Sequence, residues 1–223
     1  MSEAPPPVRE VEFLALDTTD EEEIKRLFVG FIRSLHSFLN EIPCLRDVPK
    51  IRRHWKPRST GTEAFGTFAT DPRHWYTFHH GGRTEAQFNV GMFTTHLRVG
   101  LGFEFTLKKG GDPTAVQLAY ACLVNVIRAD QRRFEQFVTE NRLEVEWTTT
   151  DGGPLIFVPT ENVSRFLINL PKEPTWLFVG RLLRRRKEAA ILENASSLGG
   201  LMQTILCGFR PTWERTQMLA HIP

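Results

Sequence analysis

Cysteine is scarce and scattered. Cys44, Cys122 and Cys207 are the only three in 223 residues, and no two form a C-x-x-C pair. That spacing argues against a disulfide scaffold or a zinc ribbon and predicts reduced, mostly buried thiols. Long apolar runs are also missing, since none approaches the roughly 20 residues that span a bilayer. The opening "MSEAPPPVREVE" has three consecutive prolines and scattered acids where a secretory leader would carry a basic and then an apolar region. The expectation is a cytoplasmic protein without a membrane segment.

Catalytic signatures are equally sparse. There is no G-x-S-x-G elbow, no phosphate-cradling glycine loop and no cysteine beside a histidine. His74, His79, His80 and His96 lie in or beside strand-like stretches, but residues 79 and 80 face opposite ways if extended, and no carboxylate stands at a recognised ligand spacing. Glu104 meets a lysine only at Lys108, too far along a strand for the two to share a nuclease metal. The reading leans against an enzyme and expects neither cofactor nor metal.

What is present is a soluble composition, 41% hydrophobic and 24% charged, with a polarity hidden under a net charge of +2. Residues 1–45 sum to −5 and residues 46–223 to +7. Two basic runs stand out: "RDVPKIRRHWKPR" (46–58), with six cations and one acid, and "RLLRRRK" (181–187), with five cations and none. The first mixes an aromatic with cations, as phosphate contact plus base stacking would require, although a solvated loop is equally consistent. The second reads more readily as a solvated helix start than as a contact patch.

Periodicity predicts an α+β fold in which antiparallel meanders pack on a long central helix, with helices flanking at both ends. Residues 1–19 form an N-terminal extension with a short strand, "VEFLAL", and residues 20–223 a single domain. Ile24, Leu27, Phe28, Phe31, Leu35, Phe38 and Leu39 recur at helical spacing after an acidic first turn, and Pro43 marks the stop. "FGTFAT", "HWYTFH", "TEAQFNVGMF" and "THLRVGLGFEFTL" read as strands, with Gly81-Gly82 as a tight turn. Asp112-Pro113 opens a helix expected to run to residue 140. Its first half is apolar nearly all round, which calls for cover on more than one side. "RLEVEWT", "PLIFV" and "SRFLINL" read as a second meander, and the tail as one or two helices ending before Pro211.

Within "RVGLGFEFTL", Val99, Leu101, Phe103, Phe105 and Leu107 share one parity, while Arg98, Gly100, Gly102, Glu104 and Thr106 share the other. The apolar set is an ordinary buried face. The glycine set has two explanations, a groove floor open to a ligand or a site of bending and close backbone approach.

The order of signals from "RHWYTFHHGGRTEAQFNVGMFTTHLRVGLGFEFTL" through a long helix, "LEVEW", "SRFLINL" and a last helix near "FRPTW" resembles accessory domains found with restriction and phage-defence nucleases. The match covers roughly residues 50–213 and rests on element order plus fragments such as His74-Trp75-Tyr76 and Arg98-x-Gly. The acidic first helix has no place in that pattern. The resemblance implies a DNA-reading module, one able to sense modified bases, with no catalytic residues of its own.

The leading expectation is therefore a DNA-recognition module forming the N-terminal part of a longer effector and working with a nuclease or NTPase subunit or downstream domain. Arg52, Arg53, Lys56 and Arg58 would hold phosphates, and Trp55, Trp75 or Tyr76 would stack on an extruded or modified base. Arg83 and Arg98 complete the candidate set. The competing readings are a protein-interaction domain with exposed aromatics and an enzyme with an unfamiliar site around His79, His80 and Glu104.

Overall fold

The alternating, glycine-bearing strand His96–Glu104 lies at the centre of a seven-stranded antiparallel sheet among the described residues. A computed structural model describes residues 4–15, most of 31–46, 51–53, 76–80, 86–105 save 94, 113–149 and 155–220. In chain order the strands are β1 (Ile51–Arg53), β2 (Tyr76–His80), β3 (Gln87–Met92), β4 (His96–Glu104), β5 (Glu144–Thr148), β6 (Ile156–Val158) and β7 (Trp176–Arg184). They are arranged β1-β2-β3-β4-β7-β5-β6. The helices are α1 (Glu10–Ala15), α2 (Pro43–Arg46), α3 (Pro113–Ala129), α4 (Gln131–Glu140), α5 (Val163–Ile168), α6 (Ala189–Leu192) and α7 (Ala195–Ala220).

The fold class is α+β, as the periodicity predicts, but the two expected meanders are one sheet. β7 inserts between β4 and β5 and joins them, pairing Gly100 with Gly180 on one side and Val145 with Val179 on the other. On one face Val99, Leu101 and Phe103 of β4 lie in register with Val90, Phe88, Val179 and Leu177. All are buried. α7 covers this face with Leu198, Met202, Ile205, Phe209 and Trp213, which recur at helical spacing. Burial of each such side chain contributes about 1.5–3 kcal/mol, which explains why this face organises the domain.

Several expectations need correction. "VEFLAL" is not a strand. It lies in and just beyond α1, where the Glu12 carboxylate accepts from the Arg9 backbone N–H at 2.7 Å, as in a capping box. The helix expected over 113–140 breaks at Asp130, whose side chain accepts from the Arg133 N–H and starts α4. α3 is covered on two sides, by α7 and α5, while Leu118 faces out at 45% exposure. "SRFLINL" forms α5, because Val163 and Leu167 bury at i, i+4 spacing. α7 continues through Pro211 instead of stopping before it. Proline in a helix interior costs about 3 kcal/mol, and buried Phe209 and Trp213 on either side offset that cost.

The cysteines also depart from expectation. Cys122 is free and buried as predicted, but Cys44 in α2 and Cys207 in α7 form a disulfide across a sequence separation of 163. The chain fold brings these two together, and spacing in the sequence carries no trace of it. Phe31, Leu35, Phe38 and Leu39 are helical and buried, in line with the predicted first helix, while Ile24, Leu27 and Phe28 lie outside the described residues, as do "FGTFAT" and the Gly81-Gly82 turn. No described helix is long and apolar enough to cross a membrane.

Candidate functional site

The face of the sheet away from α7 carries the glycines, and it is closed by the chain itself. A Cβ at Gly100 would lie 2.3 Å from the Val179 carbonyl oxygen and 3.0 Å from the Phe178 ring, and one at Gly102 would lie 2.6 Å from the Trp176 indole. Phe178 is fully buried and lies over the Gly100–Gly180 pair. The groove-floor reading is therefore overturned: the glycines admit two aromatic rings and a close backbone approach.

Beside those rings lies a buried polar cluster. Arg98 extends from β4 across β7 to an ion pair with Glu146 on β5, and its Nε donates to Asn89 Oδ1 at 2.7 Å. The guanidinium carbon sits 4.7, 4.9 and 5.1 Å from the rings of Phe93, Trp176 and Phe178. Glu146 also accepts from the Trp176 indole N–H at 3.3 Å. Burial alone would push the Glu146 carboxyl up, but the Arg98 charge, His96 and Trp176 together outweigh it and hold the carboxyl below its ordinary value. His96 stacks on Phe93 and places Nε2 3.6 Å from Glu146 Oε2, and neither of those atoms has a hydrogen-bond partner among the described residues. Thr95 Oγ1 is 3.0 Å from the other ring nitrogen.

Arg98 was a candidate for nucleic-acid contact. It is 3% exposed with its guanidinium engaged by Glu146, so desolvation and internal pairing remove it from any surface interface. The second basic run is also occupied internally, and it is not a helix start but the end of β7 and the turn beyond. Arg181 is buried, donating to the Arg142 carbonyl and pairing with Glu188. Arg184 grips Glu144 with two bonds of 2.8 and 2.9 Å, and Arg185 pairs with Glu10. Arg186 and Lys187 are exposed.

The first basic run has a different location. Arg52 and Arg53 lie in β1, the end strand among the described residues, where they pair in register with His79 and Phe78 of β2. Tyr76 opens β2 opposite Val90. Trp55, Lys56, Arg58, Trp75 and Arg83 lie outside the described residues, as does His74. β1 and β2 thus bring Arg52, Arg53 and Tyr76 to one margin of the sheet, close in sequence to the rest of the set, while Arg98 is withdrawn into the interior. At the opposite margin, β6 presents Ile156 and Phe157 at 45% and 47% exposure.

Among the described residues no three His, Cys, Asp or Glu side chains gather as a metal site would require. Sequence reasoning missed the Arg98–Glu146–His96 cluster because its members lie on strands separated by the α3–α4 excursion. The one available signal was an arginine in the middle of an otherwise apolar and glycine strand, which demands a buried partner. No protein-family model matches the chain, and no curated protein is significantly similar to it.

Proposed function

We propose that the chain is a DNA-recognition module that meets its ligand along the β1–β2 margin, acting in the cytoplasm within a restriction or phage-defence system. The observation that carries this reading is the fate of the two basic runs. The cations of 181–185 are matched one by one to Glu188, Glu144 and Glu10, whereas Arg52 and Arg53 occupy the end strand of the sheet among the described residues. A two-stranded ribbon whose outer strand carries arginines, as β1 carries Arg52 and Arg53, is a form that DNA readers place against a groove or backbone. Arg52, Arg53, Lys56 and Arg58 would hold phosphates, and Trp55, Trp75 and Tyr76 would supply stacking for an extruded or modified base.

The test is a binding titration with duplex DNA, with and without modified bases, at two salt concentrations. Affinity should fall steeply between the two salts, by about tenfold or more if several phosphates are held. The variant Arg52→Glu/Arg53→Glu/Lys56→Glu should bind more weakly while its circular dichroism is unchanged. Flat curves for every duplex would favour the second reading, a protein-interaction domain that uses the β6 margin, where Ile156 and Phe157 are half exposed.

A further inference from the structure

We infer that Arg185, with Arg186 and Lys187 beside it, is a binding site for a phosphate group, and that the Glu10 carboxylate is the resident anion a phosphate displaces. On the function proposed above, on which this part of the inference rests, the phosphate belongs to a DNA backbone.

The three carboxylates that match the cations of 181–185 differ in how firmly they are held. The side chains of Glu188 and Glu144 are 7% and 15% exposed, that of Glu10 56%. Glu144 is part of β5, and Glu188 also accepts from the Arg184 backbone N–H at 2.8 Å, so both are built into the fold. Glu10 reaches Arg185 from α1 at the surface, where an ion pair is weak and a competing anion can take its place.

The arginine, in contrast, is fixed. Its backbone N–H donates to the Thr95 carbonyl at 2.9 Å, and its guanidinium carbon lies 5.6 Å from the ring of buried Phe13. It gives Glu10 two bonds, one from Nε at 2.6 Å and one from a terminal nitrogen. The same fork accepts two oxygens of a phosphate. Arg186 and Lys187 follow directly and are exposed, in reach of the neighbouring phosphates that a backbone brings and a lone carboxylate does not. The bonds from Arg185, with the charges of Arg185 and Arg186, hold the Glu10 carboxyl below its ordinary value, as a place that favours an anion should.

Register brings this site to the proposed DNA-binding margin. Tyr76 pairs with Val90, Val90 with Val99 and Val99 with Arg181, so β2 begins at the end of the sheet where β7 finishes. The two strands are three spacings apart, about 14 Å across the sheet. A duplex lying across that end reaches both Tyr76 and Arg185.

The experiment titrates the full chain, Glu10→Gln and Glu10→Gln/Arg185→Gln with pyrophosphate and with duplex DNA at low salt, with circular dichroism as the check on folding. Glu10 is exposed and the capping carboxylate of α1 is Glu12, so Glu10→Gln leaves the fold in place. Removing the resident anion should tighten both ligands by about three- to tenfold. The double variant should bind both no better than the parent, and its slope of log affinity for duplex against log salt should be shallower by about one than that of Glu10→Gln. A Glu10→Gln protein that gains nothing on pyrophosphate, or a double variant that keeps the gain, would overturn the inference. So would duplex DNA bound equally by all three proteins, which leaves the DNA-recognition reading intact. If Glu10→Gln gains on pyrophosphate and none of the three binds duplex DNA, the phosphate site stands and the DNA-recognition reading fails.

Discussion

Arg98 and Glu146 form an ion pair between strands that are not neighbours: β7 lies between β4 and β5, and the arginine side chain crosses over it to reach the carboxylate. Both residues are almost wholly buried, so each charge depends on the other for compensation. The losses on removing each partner should therefore be strongly non-additive. Arg98→Met or Glu146→Gln alone should lower unfolding free energy by about 3–5 kcal/mol, and the double variant by markedly less than the sum. Urea titrations of the four proteins check this, and additive losses would show that the pair is not coupled.

Acid should act through the same carboxylate. Because the folded Glu146 carboxyl titrates below its ordinary value, its contribution is complete above the unfolded value of about 4.3 and is lost as pH falls through the lower folded value. Stability measured from pH 7 downward should therefore decline in that acid window. Glu146→Gln, less stable throughout, should decline less steeply there, and parallel curves would assign the acid limb to other carboxylates.

The two glycines of β4 should differ in tolerance. At Gly100 a new Cβ meets the Val179 carbonyl and the Gly180 backbone, which cannot move without shifting β7. At Gly102 it meets the far end of the partly exposed Trp176 ring, which can swing aside. Gly100→Ala should cost about 1–3 kcal/mol and Gly102→Ala less than about 1 kcal/mol, the latter with a change in tryptophan fluorescence. Equal thermal shifts would contradict this assignment.

A third glycine sits at a helix contact. A Cβ on Gly208 would come within 2.4 Å of the Phe137 ring, which packs edge-on against Phe209. Gly208→Ala should destabilise despite the higher helix propensity of alanine, and adding Phe137→Leu should recover part of the loss. A Gly208→Ala protein that melts higher than the parent would show that the ring has room to move.

The parts of the fold legible in the sequence are those whose residue types alternate, whether or not both faces end up buried. β4 alternates large apolar residues with glycines and polar residues and so reads as a strand, and the tail reads as helix, although not through Pro211. β7 has no such mark because "WLFVGRLL" carries large apolar side chains on both parities, while its arginines suggest solvent. "SRFLINL" reads as a strand yet forms a helix because so short an apolar run satisfies period two nearly as well as helical spacing. The buried ion pair and the disulfide depend on residues brought together by the fold, Arg98 with Glu146 and Cys44 with Cys207, and neither leaves a local mark. The basic run at 46–58 is legible as charge, but the place of its Arg52 and Arg53 in β1 is not.

The most direct test of where this protein meets a ligand is amide hydrogen exchange with and without duplex DNA at low salt. Added DNA should slow exchange in β1, β2 and the intervening basic segment, and leave β6 and α4 unchanged. Protection confined to β6, or no protection anywhere at saturating DNA, would contradict the account.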